Sequence, residues 1–342
     1  MKSPFPYFGG KSKVASIVWS ALGDVRNYVE PFAGSLAVLL SRPHEPKVET
    51  VNDMDALLAN FWRALRSDPD AVAEHADWPV NEADLEARHY WLVQNRQRIR
   101  DGLGAPEWYD AKAAGWWVWG ISCWIGGGWC SGEGPHAYDG EKWVSDAGHG
   151  INRQRPHLGD AGQGINRKLP HLGNAGQGIN RKRPHLSDAG QGINRKLPIY
   201  DYFHDLAERL RHVRVCCGDW ARVCGPSVTF KHGLTGVFLD PPYANGERSE
   251  GLYAHDCGSV AADVTRWALE NGKRDDMRIV VAGYDVEHVA LTDAGWRPLN
   301  WKTNGGYGGG RGGAGDINKH REMLWFSPAC IAPQKAQETL FA

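Results

Sequence analysis

Thr235-Gly236-Val237-Phe238-Leu239-Asp240-Pro241-Pro242-Tyr243 is the stretch whose reading decides the fold. Thr235 to Phe238 is a short apolar run, as expected for a buried strand. An acid, two prolines and an aromatic ring follow at its carboxyl end. In an open α/β sheet that end is where ligands bind. Pro241 biases Asp240 away from helical angles, and both prolines hold their own φ near about −65°. The carboxylate, the adjoining carbonyls and the Tyr243 ring are therefore held stiffly, which suits a flat polar ligand bearing exocyclic N–H groups. Read alone, the same residues also describe a tight turn with a solvated Asp.

Working outward, the upstream chain supplies two further strand ends. Asn27 to Glu30 reads as a strand, followed by the turn Pro31-Phe32-Ala33-Gly34 and a helix from Ser35 to Leu40. Gly34 would let a ligand approach the backbone at this first strand-to-helix turn. Val48 to Val51 reads as a second strand ending in Asn52-Asp53-Met54-Asp55, before an amphipathic helix from Ala56 to Leu65. An acid at the end of a second strand, about 20 residues after the glycine turn, is where doubly wound folds hold a ribose. Asp53 is the better candidate; Asp55 suits a helix cap, and capping alone would account for either. At the start, Pro6-Tyr7-Phe8-Gly9-Gly10-Lys11-Ser12 reads as a loop entering a helix. That arrangement takes anionic groups, with Lys11 adding charge and Tyr7 a stacking face. It lacks the full spacing of a Walker loop, and taken alone it reads more simply as a capped helix start.

Downstream, Ile199 to Leu210 reads as a helix and Val213 to Cys216 as a third strand leading to Gly218-Asp219-Trp220. After the Asp240 strand come a helix (260–269), a strand (278–282), a helix (286–291) and two closing strands (296–301 and 322–326), with a glycine-rich basic loop at 304–313. No helix separates the last two strands, which predicts an α/β, Rossmann-like seven-stranded sheet, mostly parallel with one antiparallel strand.

Composition narrows the partners. The 342 residues carry a formal net charge of −1, so no global basic field announces nucleic acid, although local patches can. The seven cysteines form no C-x-x-C pair, and Cys216, Cys217 and Cys224 with His212 and His232 match no usual zinc spacing. Free thiols and no metal are expected. No apolar run reaches the length of a membrane span and the start does not resemble a signal peptide, so a soluble cytoplasmic protein is expected. Tryptophan clusters at 116–119 and 124–129 suit either core packing or a stacking platform. Residues 146 to 199 repeat with period 14, copies beginning at Asp146, Asp160, Asn174 and Asp188. They hold nine Lys or Arg against three Asp, and read equally as a phosphate-tracking arm or as a spacer grown by duplication.

Together these motifs resemble the Dam-type family of N6-adenine DNA methyltransferases, with repeats like those of some phage or prophage relatives. The resemblance rests on Pro6 to Lys11, Glu30-Pro31-Phe32-Ala33-Gly34, Asn52-Asp53, Asp240 to Tyr243 and Arg321 to Trp325, in the family's order. Leu36 departs from it, standing where the family often has a second glycine. The resemblance implies a catalytic domain formed by residues 1–69 and 200–330, an inserted target-recognition region at 70–199 containing the repeats, and a tail at 331–342. It implies S-adenosyl-L-methionine as cofactor, with Tyr7, Lys11, Pro31, Phe32, Ala33 and Gly34 lining its pocket and Asp53 on the ribose. Asp219 and Trp220 would border the cofactor adenine, Trp220 reading equally as core, and Asp240 would adjoin both ligands. The catalytic set would be Asp240, Pro241, Pro242 and Tyr243, acting on a flipped-out adenine of double-stranded DNA, with no obligate protein partner and a setting such as restriction–modification in a bacterial or phage-infected cell. The same amine chemistry serves N4-cytosine in DNA and N6-adenine in RNA. A non-catalytic DNA-binding protein with a degenerate methyltransferase fold is the reading from another class.

Overall fold

The computed structural model describes residues 1–5, 7, 11–124, 129–130, 136–138, 143–145, 199–242, 257–301 and 322–332. Within them, β1 (Asn27–Glu30), β2 (Val48–Asp53), β5 (Val213–Cys217), β6 (Thr235–Leu239), β7 (Met277–Tyr284), β8 (Arg297–Asn300) and β9 (Glu322–Phe326) build one sheet in the order β5-β2-β1-β6-β7-β9-β8. The first five pair in parallel, and β9 runs antiparallel to both β7 and β8. This is the Rossmann-like methyltransferase arrangement expected, with β9 as the single reversed strand. The short strands β3 (His136–Tyr138) and β4 (Trp143–Ser145) form a separate antiparallel pair.

Successive residues of the central strands face opposite ways, and the core divides accordingly. Tyr28, Phe238, Val280, Ala282, Leu324 and Phe326 face a cluster shared with α1 (Ala15–Leu22), α2 (Ala37–Leu40), α3 (Ala56–Ser67) and α7 (Ile199–Leu210). Val29, Val237, Leu239, Ile279, Val281 and Trp325 face a second cluster, with α8 (Cys257–Asn271) and α9 (Val289–Asp293). The strands β6 and β7 are covered on both sides, which is why Val237 to Leu239 and Ile279 to Ala282 read as continuous apolar runs.

The helices α4 (Pro69–Ala76), α5 (Glu82–Gly102) and α6 (Ala111–Cys123) do not stand apart from this sheet. Leu92, Ile99, Trp117 and Trp119 join the first cluster, and Phe61 of α3 lies 5.6 Å from Trp117 between ring centroids. The aromatic run at 116–119 is thus chiefly packing, with Trp117 and Trp119 buried. The described cysteines, Cys123, Cys130, Cys216, Cys217, Cys224 and Cys330, are free thiols. Among the described residues no group of three or more His, Cys, Asp or Glu is placed to hold a metal ion, and no helix is long and apolar enough to cross a membrane.

Several expected boundaries move, three of them at the strand ends and turns described next. The helix expected from Ser35 starts only at Ala37, because Gly34 and Leu36 both take positive φ (47° and 56°). Strand β2 runs through to Asp53, paired with Cys217. The helix expected at Val286 begins at Val289, because Glu287 turns back to accept the Tyr284 amide.

His288, at this turn, is fully buried. Thr265 Oγ1 donates its one proton to the Ala261 carbonyl at 2.8 Å, so the contact of 2.7 Å to His288 Nδ1 is made by a ring N–H. Loss of water lowers the imidazole pKa to about 4. The unfolded chain takes up this proton near pH 6.5 and the folded chain only near 4, so stability is full above pH 6.5 and falls as the pH drops between the two. From pH 7.5 to pH 5 this residue alone should cost about 2 kcal/mol. Urea melts at the two pH values should show that loss reduced by about the same amount in His288→Leu. An undiminished acid loss in the variant would refute the assignment.

Candidate active site

The carboxyl ends of β1, β2, β5 and β6 lie along one edge of the sheet, and nearly all the described candidate residues are there. Asp240 follows β6 directly, its side chain 20% exposed, with Pro241 buried and Pro242 half-buried beside it. Lys11 Nζ reaches Asp240 Oδ1 at 2.9 Å from a side chain only 5% exposed. Lys11 is held there by its own turn into α1, where its carbonyl accepts the Val14 amide. The loop residue and the strand-end acid, far apart in sequence, thus form one buried ion pair. Tyr243, Pro6 and Phe8 to Gly10 lie outside the described residues, as do the repeats up to Pro198 and the glycine-rich loop at 304–313.

The turn after β1 is built around Gly34. Its amide donates to Asp53 Oδ2 at 3.0 Å, and its carbonyl accepts Trp62 Nε1–H at 3.1 Å. With φ at 47°, any side chain at 34 would be strained, and a Cβ there would come within 2.9 Å of the Tyr7 ring. The backbone is therefore exposed to a close neighbour in a way only glycine permits. Leu36, fully buried, takes the left-handed conformation that a glycine would take without strain. The departure from the family pattern is accommodated by backbone strain, with the leucine side chain filling the core.

Asp53 is oriented from two sides, because Oδ1 accepts the Asp55 amide at 2.9 Å while Oδ2 accepts that of Gly34. The carboxylate is half-buried, and the surrounding protein removes enough water to outweigh both donors, raising its pKa to about 6. Asp55 caps α3 through the Leu57 amide, the capping role given as its alternative.

Asp219 caps the short turn at 220–223 through Ala221. Trp220 is buried in the second core cluster and stacks on Phe32, with centroids 5.8 Å apart and planes 29° from parallel. Trp220 therefore bears on this edge through Phe32, which is itself half-buried. Pro31 and Ala33 close the turn through Asn52. Its amide nitrogen donates to the carbonyls of Pro31 at 3.1 Å and Gly218 at 2.9 Å, and its own backbone carbonyl accepts from Ala33.

Asn52 and Glu30 are the residues that sequence reasoning left without a role. Asn52 ties the ends of β1, β2 and β5 together, and its buried Oδ1 has no hydrogen-bond partner among the described residues. Glu30 is buried with Oε2 accepting from Tyr28 Oη and the Leu39 amide, and burial lifts its pKa to about 8. The sequence signal for either was its place in the motifs Glu30 to Gly34 and Asn52-Asp53, which gave it no role of its own.

Residues 7–101 match the D12 class N6 adenine-specific DNA methyltransferase family. No match is found among curated proteins. The matched span begins at Tyr7, takes in Lys11, the Gly34 turn and Asp53, and ends within α5. It covers the two strand ends that the sheet brings beside Asp240. Over this span, somewhat more than a quarter of its length, the chain is similar to the D12 class N6 adenine-specific DNA methyltransferases, which supports the Dam-type family.

Proposed function

We propose that this enzyme uses S-adenosyl-L-methionine to methylate the N6 amine of an adenine flipped out of double-stranded DNA, at a site built on Asp240. The observation that carries this reading is the Lys11–Asp240 pair standing at the same sheet edge as the Gly34–Asp53 turn. A cofactor pocket and an amine acceptor are then neighbours.

The residues present fit the cofactor. Gly34 lets the Tyr7 ring close against its backbone at the turn, Asp53 presents a fixed carboxylate suited to a ribose diol, and Asn52 Oδ1, without a hydrogen-bond partner among the described residues, lies in the same turn system. Tyr7, Lys11, Pro31, Phe32, Ala33 and Gly34 would line the pocket, with Asp219 and Trp220 toward the adenine end. The bound cofactor supplies a methyl group activated on a sulfonium.

The target amine is a poor nucleophile, because its lone pair is delocalised into the purine ring. Asp240 and the Pro241 carbonyl each accept one of its N–H bonds. That draws the nitrogen toward a pyramidal shape and places negative potential where positive charge develops. Lys11 holds Asp240 in orientation before the amine arrives. Tyr243 stacks on the extruded base, whose flipping costs a few kcal/mol. Positioning provides most of the acceleration, and Asp240 need not be a strong base at the outset.

Residues 1–69 and 200–330 form the catalytic domain in this reading, and 70–199 the target-recognition region, whose first helices are anchored on α3. The enzyme works on cellular DNA in the cytoplasm. Sequencing that detects N6-methyladenine in DNA from cells expressing the chain tests the whole reading. Methylated adenines at one recurring sequence are expected, and N4-methylcytosine or unmodified DNA would overturn it.

A further inference from the structure

Asn52 takes no part in the transfer step, yet its side chain lies where three strand ends meet. It is 1% exposed and stands one residue before Asp53 at the end of β2. Its Nδ2 donates to the Pro31 carbonyl at 3.1 Å, in the turn after β1, and to the Gly218 carbonyl at 2.9 Å, in the turn after β5. Backbone bonds run beside both. The Asn52 carbonyl accepts the Ala33 amide at 2.8 Å, and the Asp53 carbonyl accepts the Gly218 amide at 3.0 Å. Both side-chain partners are carbonyls, so the amide has one usable orientation, with its nitrogen toward them.

A carboxamide suits this place because it offers two N–H donors from one atom and carries no charge. A carboxylate would set oxygen against both carbonyls, beside Asp53, and a hydroxyl has one proton for two acceptors. The two turns so joined carry Phe32 and Trp220, whose rings stack across the gap at 5.8 Å, and Asp219 follows Gly218 directly. The spacing of these groups thus hangs on one side chain. The Lys11–Asp240 pair stands after β6, on the far side of β1 from β2, and neither side-chain bond of Asn52 reaches it. Asn27 offers a comparison at the opposite end of β1, away from the candidate site. It too is buried, and its Nδ2 donates to the Val228 and Thr229 carbonyls at 2.7 and 3.2 Å.

We propose that Asn52 is a positioning residue for the nucleoside half of the cofactor, setting the gap between the turns that carry Phe32 and Trp220. The assignment rests on the reading of this edge as an S-adenosyl-L-methionine site, and gives that site a residue that acts without touching the reacting atoms. Losing the amide frees both carbonyls, and the turns shift apart to hydrate them. The ligand must then re-order the turns as it binds, so affinity falls, while transfer at Asp240 proceeds once the cofactor is seated.

The test is calorimetric titration of the full-length protein with S-adenosylhomocysteine and with 5′-methylthioadenosine, which keeps the nucleoside and lacks the amino-acid end. Asn52→Leu preserves bulk and adds no charge beside Asp53. It should bind both ligands about tenfold more weakly, the effect of about one net hydrogen bond, by the same factor for each. In methylation assays its KM for the cofactor should rise by that factor, with kcat within about twofold of wild type. Gly218→Ala is a second variant, with Asn52 intact. At φ 138° its Cβ would come within 2.5 Å of Arg222 Nη1 and displace the same turn, and it should give the same pattern. Asn27→Leu is the control, expected to lower the urea midpoint while leaving both affinities unchanged. Unaltered affinity in Asn52→Leu and Gly218→Ala, an equal loss in Asn27→Leu, or a fall in kcat matching the loss of affinity overturns the proposal. A loss confined to S-adenosylhomocysteine does so too, because it moves the role to the amino-acid end. Wild-type protein that binds neither ligand overturns the cofactor reading and this assignment together. If wild type binds both and leaves adenine unmethylated, only the target reading falls, and the expected losses in the variants still uphold the role of Asn52.

Discussion

Replacing Asp240 with alanine should reduce methyl transfer by at least about 10²–10³-fold, while cofactor binding survives in part. The magnitude is that of losing one preorganised electrostatic contact to a developing charge. In the proposed reaction Asp240 would provide two such contributions, accepting an amine N–H and carrying the negative charge nearest the nitrogen. The variant also removes the carboxylate 2.9 Å from Lys11, whose side chain is 5% exposed. Part of the loss would therefore come from a lysine free to swing across the site. Lys11→Met in the Asp240→Ala background separates the effects: if the double variant recovers nothing, the missing carboxylate accounts for the loss. Single-turnover methylation with saturating cofactor, alongside calorimetric cofactor binding, is the measurement. Turnover near wild type in Asp240→Ala would remove Asp240 from the chemistry altogether.

That pair also marks where the sequence stops being informative. Elements with a clear period were legible to the residue: β1 at Asn27–Glu30, α7 at Ile199–Leu210 and β9 at Glu322–Phe326. Their faces are fixed by local alternation, or by an apolar stripe such as Phe203, Leu206 and Leu210. The single reversed strand was legible too, since no helix could be read between the last two strands. The Lys11–Asp240 contact was not, because no local pattern records which strand ends become neighbours. Nor was the late start of α2, which depends on a buried leucine adopting a conformation usual for glycine. Helix α5 concealed its face for a different reason. It buries Arg88 and His89 together with Leu92 and Ile99, so charge marks part of its inner side, and the indoles of Trp78, Trp116 and Trp119 cover the buried guanidinium.

Asp53 gives the second large expected effect, and it carries a pH signature. In the free enzyme its carboxyl has a pKa of about 6, raised by burial against the opposing pull of two amide donors. Ribose hydroxyls donate to the ionised form, so binding the cofactor should require the carboxylate. As the pH falls through 6 the free enzyme takes up a proton that must be released before the cofactor binds. Affinity should therefore drop about tenfold between pH 7 and pH 5 and change little above pH 7. Asp53→Ala should bind the cofactor about 10–100-fold more weakly at pH 7.5, the range for charge-assisted hydrogen bonds lost from a partly buried site. Its affinity should be nearly flat over the same pH range. The variant also frees the Gly34 amide and lets the turn at Leu36 relax, so loss of affinity alone would not distinguish a ligand contact from a scaffold. The flattened profile does, because a residue that only braced the turn would leave the remaining pH dependence in place. Calorimetric titration with S-adenosylhomocysteine at pH 5, 6, 7 and 8 reads both quantities. A wild-type affinity independent of pH would place the ribose elsewhere than on Asp53.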